Sequence, residues 1–148
     1  MSDRYVVPPA EQRQPLTLIL VVEDDEANAE VLKEALTFEL SCVVHQVSNG
    51  ILALRAVEAI KPNLIVLDYL LPVMDGLELY DRLQRMPGLS RIPVLFLSAS
   101  SNQNEIEHRH LPFLEKPFEL ETLLERVRYL LAQGRYGKEN DQGEPEER

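Results

Sequence analysis

Acidic, hydroxyl and ammonium side chains follow four separate apolar runs of the sequence. Glu23 and Asp24 follow the first of these runs, and Asp68, Ser98 and Lys116 follow three later ones. If the runs are strands of one parallel sheet, their carboxyl ends form the edge at which such sheets bind ligands. Three carboxylates brought together there would repel one another, and at least one pKa would rise without a cation. Oxygen ligands of this kind suit Mg²⁺, which often binds together with a phosphate.

The same residue types could accept a phosphoryl group. A carboxylate such as that of Asp68 can act as a nucleophile and become an aspartyl phosphate. The transferred group needs its charge neutralised and its position fixed. Lys116 offers a positive charge for this purpose, and Ser98 offers a hydroxyl donor. Asp68 considered alone is more typical of a turn cap, but the four polar strand ends considered together favour a phosphoryl-accepting site.

The elements that must position these residues alternate along the chain. Apolar runs predict five strands, at Leu16–Val22, Cys42–Val47, Leu64–Leu67, Ile92–Leu97 and Phe113–Glu115. Helical spacing, N-caps and breakers predict helices over about Glu26–Phe38, Ile51–Ile60, Leu77–Met86 and Glu119–Leu131. The alternation predicts a doubly wound α/β fold, in which helices cover both faces of a five-stranded parallel sheet.

Two of the predicted helices carry specific expectations. The first helix is expected to pack against the sheet through an apolar face made of Val31, Leu32, Ala35 and Leu36. Between Ser98 and Lys116, Ile106 is almost the only apolar anchor. A fourth helix there is therefore expected to be shortened to at most about two turns, or to be absent.

The sequence divides into one domain, at residues 16–133, and two tails. Residues 1–15 hold three prolines and little apolar periodicity, and residues 134–148 are polar and acidic. Both tails are expected to be disordered. The residues after Leu131 are too few for a further domain, which predicts a stand-alone domain. Cys42 is the single cysteine, so an internal disulfide is excluded.

Charge and hydropathy exclude several classes of function. The net charge of −10 argues against direct nucleic-acid binding, which depends on Lys and Arg meeting phosphates. No apolar run is long enough to cross a membrane, and the first residues lack the apolar centre of a signal peptide. A cytoplasmic protein without membrane contacts is the simplest interpretation.

Four motifs in order resemble the receiver domain of two-component response regulators, of which the chemotaxis regulator is the simplest relative. The motifs lie at Leu20–Glu26, Leu67–Gly76, Pro93–Ala99 and Phe113–Phe118. Each motif alone is weak, but all four at near-family spacing are specific. The resemblance implies a flavodoxin-like sheet with the strand order 2-1-3-4-5, over about Leu16 to Leu131.

The resemblance also implies a role for each matched residue. Asp68 corresponds to the phosphoacceptor. Glu23 and Asp24 resemble the acidic pair that holds Mg²⁺ together with Asp68, and the backbone carbonyl of Leu70 is implied as a further ligand. The pair is Glu-Asp instead of the commoner Asp-Asp, so Glu23 could reach the metal through a water molecule.

Three further positions have implied roles in signalling. Ser98 resembles the switch hydroxyl, and Phe113 resembles the aromatic residue that moves with it, although Phe113 could equally be a core residue. Lys116 resembles the lysine that pairs with the phosphoryl group. The Lys116–Pro117 peptide resembles the family's cis bond, which is accessible because X-Pro bonds resist the cis form less than others do.

The implied function is phosphorylation-dependent signalling. A sensor histidine kinase or a histidine phosphotransfer protein would donate the phosphoryl group, and an unidentified downstream protein would read it or receive it from a relay. The domain would be a monomer or weak homodimer, and it would catalyse only its own phosphorylation and dephosphorylation.

Two other functions compete with this one. A receiver-like module could dock a kinase or scaffold without being phosphorylated. A small phosphohydrolase could form an aspartyl intermediate, but haloacid-dehalogenase-like enzymes need a second Asp at the position that Leu70 occupies.

Overall fold

The computed structural model describes residues 16–99 and 103–142, with side chains through residue 134, and shows a doubly wound α/β fold. Its strands are β1 (Leu18–Val22), β2 (Val43–Val47), β3 (Leu64–Asp68), β4 (Val94–Ala99) and β5 (Phe113–Lys116). Its helices are α1 (Glu26–Leu40), α2 (Gly50–Ile60), α3 (Gly76–Gln84), α4 (Asn104–His108) and α5 (Leu120–Gln142). The strands pair in parallel in the order β2-β1-β3-β4-β5, which confirms the predicted fold.

The sheet separates two apolar layers. Alternate residues of β3 face opposite sides, because side chains alternate along a strand. Leu64 and Val66 belong to the layer that α1 and α5 cover, whereas Ile65 and Leu67 belong to the layer under α2 and α3. Burial on both faces explains why the central strands are continuous apolar runs in the sequence.

Side-chain caps start three of the helices. The Oδ1 atoms of Asp25, Asn49 and Asp75 each accept a hydrogen bond of 2.9 Å from the backbone N–H three residues later. Such a cap satisfies one of the amides that a helix start leaves unpaired. Asp25 is thus the N-cap of α1.

The first helix packs through a face that differs from the predicted one. Leu32, Ala35 and Leu36 are buried as expected, but Val31 is 55% exposed and Ala29 takes its place on the inner face. The assignment of Val31 was wrong because several apolar residues offered two overlapping faces, and only the position of the sheet selects between them.

The fourth helix is as short as predicted, but it is firmly attached. It spans five residues, and the side chain of Ile106 is completely buried in the α2–α3 layer. The guanidinium of Arg109, just after the helix, lies 2.7 Å from Asp81 in α3 and 3.0 Å from Glu105. Residues 100–102, which lead into the helix, fall outside the described residues.

The last helix is longer than predicted. It continues to Gln142, past the expected end at Leu131, so the backbone of the acidic tail is helical over residues 134–142. A helix held by packing gains one hydrogen bond for each residue it adds, and α5 continues through Gly134. The domain limit at residue 133 stays a prediction. Within the described ranges, no helix combines the length and apolar character needed to cross a membrane.

Candidate functional site

Two central strands end side by side and bring three carboxylates together. Val22 at the end of β1 pairs with Leu67 in β3, so Glu23 and Asp24 leave the sheet beside Asp68. One carboxylate oxygen from each of the three lies within 4.8 Å of the others. Glu23 and Asp68 are 2% and 7% exposed, whereas Asp24 faces solvent. The cluster is therefore open to solvent at Asp24.

Lys116 completes the charge pattern from the end of β5. Its Nζ atom donates a hydrogen bond of 3.0 Å to Oδ2 of Asp68. The Asp68 side chain is 10% exposed and the Lys116 side chain 33% exposed, so the ion pair is largely shielded on the aspartate side. The Lys116–Pro117 peptide bond is cis, as the resemblance implies. One ammonium thus faces three carboxylates, which leaves an excess of negative charge.

The Glu23 carboxyl is difficult to ionise in these surroundings. Burial, followed by the hydrogen bond and negative charge of Asp68, raises its pKa from 4.5 to about 8, although the charge of Lys116 and a hydrogen bond with Asn28 oppose the rise. Its Oε2 atom is buried and has no hydrogen-bond partner among the described residues. A buried carboxylate oxygen needs compensation, from a proton shared with Asp68 or from a cation. The oxygen-only donor set and this unpaired atom fit Mg²⁺.

The backbone at Glu23 is held from the neighbouring edge strand. Its N–H donates to the Val47 carbonyl at 3.0 Å, and its carbonyl accepts a hydrogen bond of 3.0 Å from Nε2 of Gln46. No role for Gln46 was predicted from the sequence. No local pattern could reveal one, because this contact joins residues 23 positions apart and depends on the strand register.

The backbone at Asp68 is held by its own downstream loop. The Gly76 N–H donates to the Tyr69 carbonyl at 2.8 Å. A Cβ atom at Gly76 would lie 2.8 Å from the Asp68 carbonyl oxygen and 3.0 Å from the Tyr69 Cα, so a side chain there would force the backbone to shift. This close approach between Gly76 and the end of β3 was not predicted from the sequence.

The remaining predicted site residues are Ser98, Phe113 and Leu70, and their surroundings differ. Ser98 is completely buried one residue beyond Leu97, the partner of Asp68 in β4, and its hydroxyl donates to the Ala99 carbonyl at 2.9 Å. Phe113 is half-buried against the α2–α3 layer. The Leu70 side chain is 61% exposed. The switch roles of Ser98 and Phe113, and the metal-ligand role of the Leu70 carbonyl, remain predictions.

Comparison with known proteins identifies the family. The family model described as the response regulator receiver domain matches residues 19–128. The chain belongs to this family. Among curated proteins, it is 38% identical over 117 residues to the response regulator MprA of Mycobacterium ulcerans, an alignment that covers 76% of this chain and 49% of MprA. The receiver chain therefore spans about half the length of the curated relatives it matches.

Solved structures of receiver domains share the fold. The signal receiver domain of a signal transduction histidine kinase from Syntrophus aciditrophicus is 34% identical, with a TM-score of 0.72, and the match covers 79% of this chain and 91% of that one. The receiver domain of a sensor histidine kinase from Pseudomonas aeruginosa is 28% identical, with a TM-score of 0.71, over 80% of this chain and 99% of that one. That second structure has a magnesium ion coordinated in its active-site cleft.

Proposed function

We propose that this receiver domain accepts a phosphoryl group on Asp68 and thereby changes a protein-interaction surface or passes the group along a relay. The observation that supports this most directly is the placement of Asp68. Its nearly buried carboxylate ends a central strand, with Glu23 and Asp24 on one side and the Lys116 ammonium 3.0 Å away on the other. Phosphoryl transfer depends on positioning and charge neutralisation, and this arrangement offers both.

The transfer would proceed by attack of a carboxylate oxygen of Asp68 on the phosphorus of the donor. A new P–O bond to Asp68 would form as the P–N bond of a phosphohistidine breaks, and the departing imidazole would take up a proton from solvent. Lys116 would neutralise charge on the phosphoryl oxygens. Ser98 would turn its hydroxyl from the Ala99 carbonyl toward a phosphoryl oxygen, and Phe113 would fill the space behind it.

Mg²⁺ would be held by the carboxylates of Glu23, Asp24 and Asp68, with the Leu70 carbonyl as a further ligand. When bound, the ion supplies positive charge to the phosphoryl oxygens. The unpaired buried Oε2 of Glu23 supports this assignment from within the chain. The magnesium ion in the Pseudomonas relative supports it by analogy.

The phosphodonor in this proposal is a sensor histidine kinase or a histidine phosphotransfer protein, because two of the similar structures are receiver domains of histidine kinases. A cavity of about 570 Å³ opens beside Glu23 and Lys116, between α1 and the start of α5. It would give a donor side chain access to the site. The downstream target is a protein, the domain acts in the cytoplasm as a monomer or weak homodimer, and its only catalysis is its own phosphorylation and dephosphorylation.

A receiver-like module that only docks a kinase or scaffold would not need the acidic cluster and Lys116. A surface that only docks a kinase gains nothing from a buried carboxylate cluster whose charge must be compensated. The combination of Asp68, Lys116 and the acidic pair therefore favours a phosphoacceptor.

Metal-dependent phosphorylation tests the proposal. Wild-type protein incubated with acetyl phosphate should gain one phosphoryl mass in Mg²⁺ and almost none in excess chelator, as measured by intact-mass spectrometry. Asp24→Ala should bind Mg²⁺ much more weakly in a calorimetric titration. Asp25→Ala is the matched control, because it removes a neighbouring carboxylate that caps α1 instead of facing the cluster.

Two results would contradict the proposal. The phosphoacceptor role is wrong if wild-type protein gains no mass from acetyl phosphate in Mg²⁺. The metal site is wrong if Asp24→Ala and wild-type protein bind Mg²⁺ with equal affinity.

A further inference from the structure

The side chain of Gln46, in the edge strand β2, bonds to the main chain of the neighbouring strand's end. Gln46 lies in β2, is half-buried, and pairs with Val21 in the strand register. Its side-chain amide donates a hydrogen bond of 3.0 Å to the main-chain carbonyl of Glu23. The contact runs diagonally across the end of the ladder, two residues beyond Val21, to the point where β1 leaves the sheet.

The position of that carbonyl explains why a side chain is needed. Regular pairing between β1 and β2 ends at Val22 and Val47. The Glu23 N–H still reaches the Val47 carbonyl at 3.0 Å, but the Glu23 carbonyl lies past the last paired residues. The Gln46 amide takes the place of a ladder donor, so the peptide groups on both sides of the Glu23 Cα are tied to β2.

This double attachment sets the direction in which two metal-ligand candidates leave the strand. The Glu23 carboxylate is buried and its Oε2 atom has no hydrogen-bond partner among the described residues, so it lacks a side-chain tether at that oxygen. Asp24 is exposed and follows the Glu23 carbonyl directly. A shift of the backbone at Glu23 and Asp24 would move both carboxylates relative to Asp68, whose carboxylate oxygen now lies within 4.8 Å of theirs.

We propose that Gln46 is a positioning residue for the Mg²⁺ site, acting through the backbone of Glu23 and Asp24. This inference rests on the proposed function, because it assumes that the acidic cluster binds Mg²⁺. Mg²⁺ demands near-ideal octahedral geometry, so its affinity is sensitive to small displacements of its ligands. Residues that orient metal ligands typically change metal affinity by about 10- to 100-fold when they are replaced.

The decisive variant is Gln46→Met, which keeps the length of the side chain and removes the donor. His45→Met is the matched control, because His45 is the exposed preceding residue of the same strand, on the opposite face. Calorimetric Mg²⁺ titration should show about a 10-fold loss of affinity for Gln46→Met and little change for His45→Met. In metal-free protein, NMR should show displaced amide resonances for Glu23 and Asp24 in Gln46→Met alone. If that variant does not fold, Gln46→Thr, which favours strands and is too short to reach the carbonyl, replaces it.

The possible outcomes separate this inference from the proposed function. If wild-type protein binds Mg²⁺ and Gln46→Met binds it equally well, the positioning role is wrong and the proposed function stands. A Gln46→Met protein that loses stability toward urea but keeps wild-type Mg²⁺ affinity would show a purely structural role and would also overturn the inference. If wild-type protein binds no Mg²⁺, the proposed metal site fails, and the positioning role fails with it.

Discussion

Burial and the neighbouring Asp68 carboxylate make Glu23 costly to ionise in the folded protein. The Lys116 ammonium only partly offsets this cost, because it pairs directly with Asp68. The site is therefore destabilised by its own charges unless a proton or a cation is present. Such local destabilisation is common where a fold preforms a binding site for an ion.

The raised pKa of Glu23 predicts how the stability of metal-free protein depends on pH. Its pKa is about 8 in the fold and 4.5 ordinarily, so the folded state holds the proton more tightly than the unfolded chain does. The resulting stabilisation is complete below the lower pKa and is lost as the pH rises through the higher one. Urea unfolding in chelator should show a steeper loss of stability between about pH 5 and about pH 8.5 for wild-type protein than for Glu23→Gln.

The same proton must leave when Mg²⁺ binds, so Mg²⁺ affinity should rise with pH until Glu23 is ionised near pH 8. Calorimetry in buffers of different ionisation enthalpy would detect the released proton. An affinity that does not change across this range, with no proton released, would contradict the raised pKa of Glu23.

At the residue scale, the sequence predicts the charged groups of the cluster but not what holds them. Glu23, Asp24, Asp68 and Lys116 can be found because each follows an apolar run, and parallel strands bring their carboxyl ends together. The role of Gln46 and the pKa of Glu23 depend on cross-strand register and burial depth. Neither quantity is encoded in local spacing.

At the element scale, the start of α3 and the end of β3 behave as one packed unit. Gly76→Ala would place a methyl group 2.8 Å from the Asp68 carbonyl oxygen, and backbone cannot yield as a flexible side chain can. We expect this substitution to lower the free energy of unfolding by about 1–3 kcal/mol, the usual cost of overpacking. Denaturant unfolding with circular dichroism measures the change.

Gly134→Ala is the matched control for this prediction. A Cβ atom there would meet Pro93 at 3.7 Å, an ordinary contact, and Gly134 lies inside α5. Alanine should be neutral or stabilising at this helical position, by up to about 1 kcal/mol. Equal changes in the free energy of unfolding for the two substitutions would show that Gly76 is not closely packed against the end of β3.

Two contacts hold the short helix α4 in place, one apolar and one ionic. Ile106 inserts into the apolar layer, and Arg109 ties the helix to Asp81 in α3. Arg109→Ala should increase hydrogen exchange over residues 104–111 several-fold, yet it should lower global stability by less than about 1 kcal/mol, because the ion pair is partly exposed.

Arg82→Ala provides the comparison for α4, since the Arg82–Glu78 pair lies within α3 and cannot hold the fourth helix. Exchange over residues 104–111 should stay at the wild-type rate in this variant. An equal increase in both variants would show that Arg109 does not anchor α4 specifically.

Some features of these elements could be predicted from the sequence and others could not. The shortening of α4 is predictable, because Ile106 stands almost alone among polar residues. The attachment of Arg109 to Asp81 is not predictable, since it joins residues 28 positions apart. The inner face of α1 and the continuation of α5 past Gly134 were misjudged because tertiary packing overrides weak local preferences.

At the scale of the whole molecule, the strand order brings the residues of the proposed site together at one edge of the sheet. The order β2-β1-β3-β4-β5 puts the ends of β1 and β3 next to each other and lets β5 bring Lys116 to the same edge. The family match over residues 19–128 contains every residue of the proposed site. The alignment with MprA covers 49% of that protein, so about half of the relative lies outside the matched region.

The most direct test of the account is to locate the acquired phosphoryl group. Wild-type protein, Asp68→Asn and Asp75→Asn are treated with acetyl phosphate and Mg²⁺, and their intact masses are compared. Asp75 is the matched control, because it lies in the same loop but caps α3. We expect one added phosphoryl mass for wild-type protein and Asp75→Asn, and none for Asp68→Asn. An Asp68→Asn protein that still gains one phosphoryl mass would contradict the assignment of Asp68 as the acceptor.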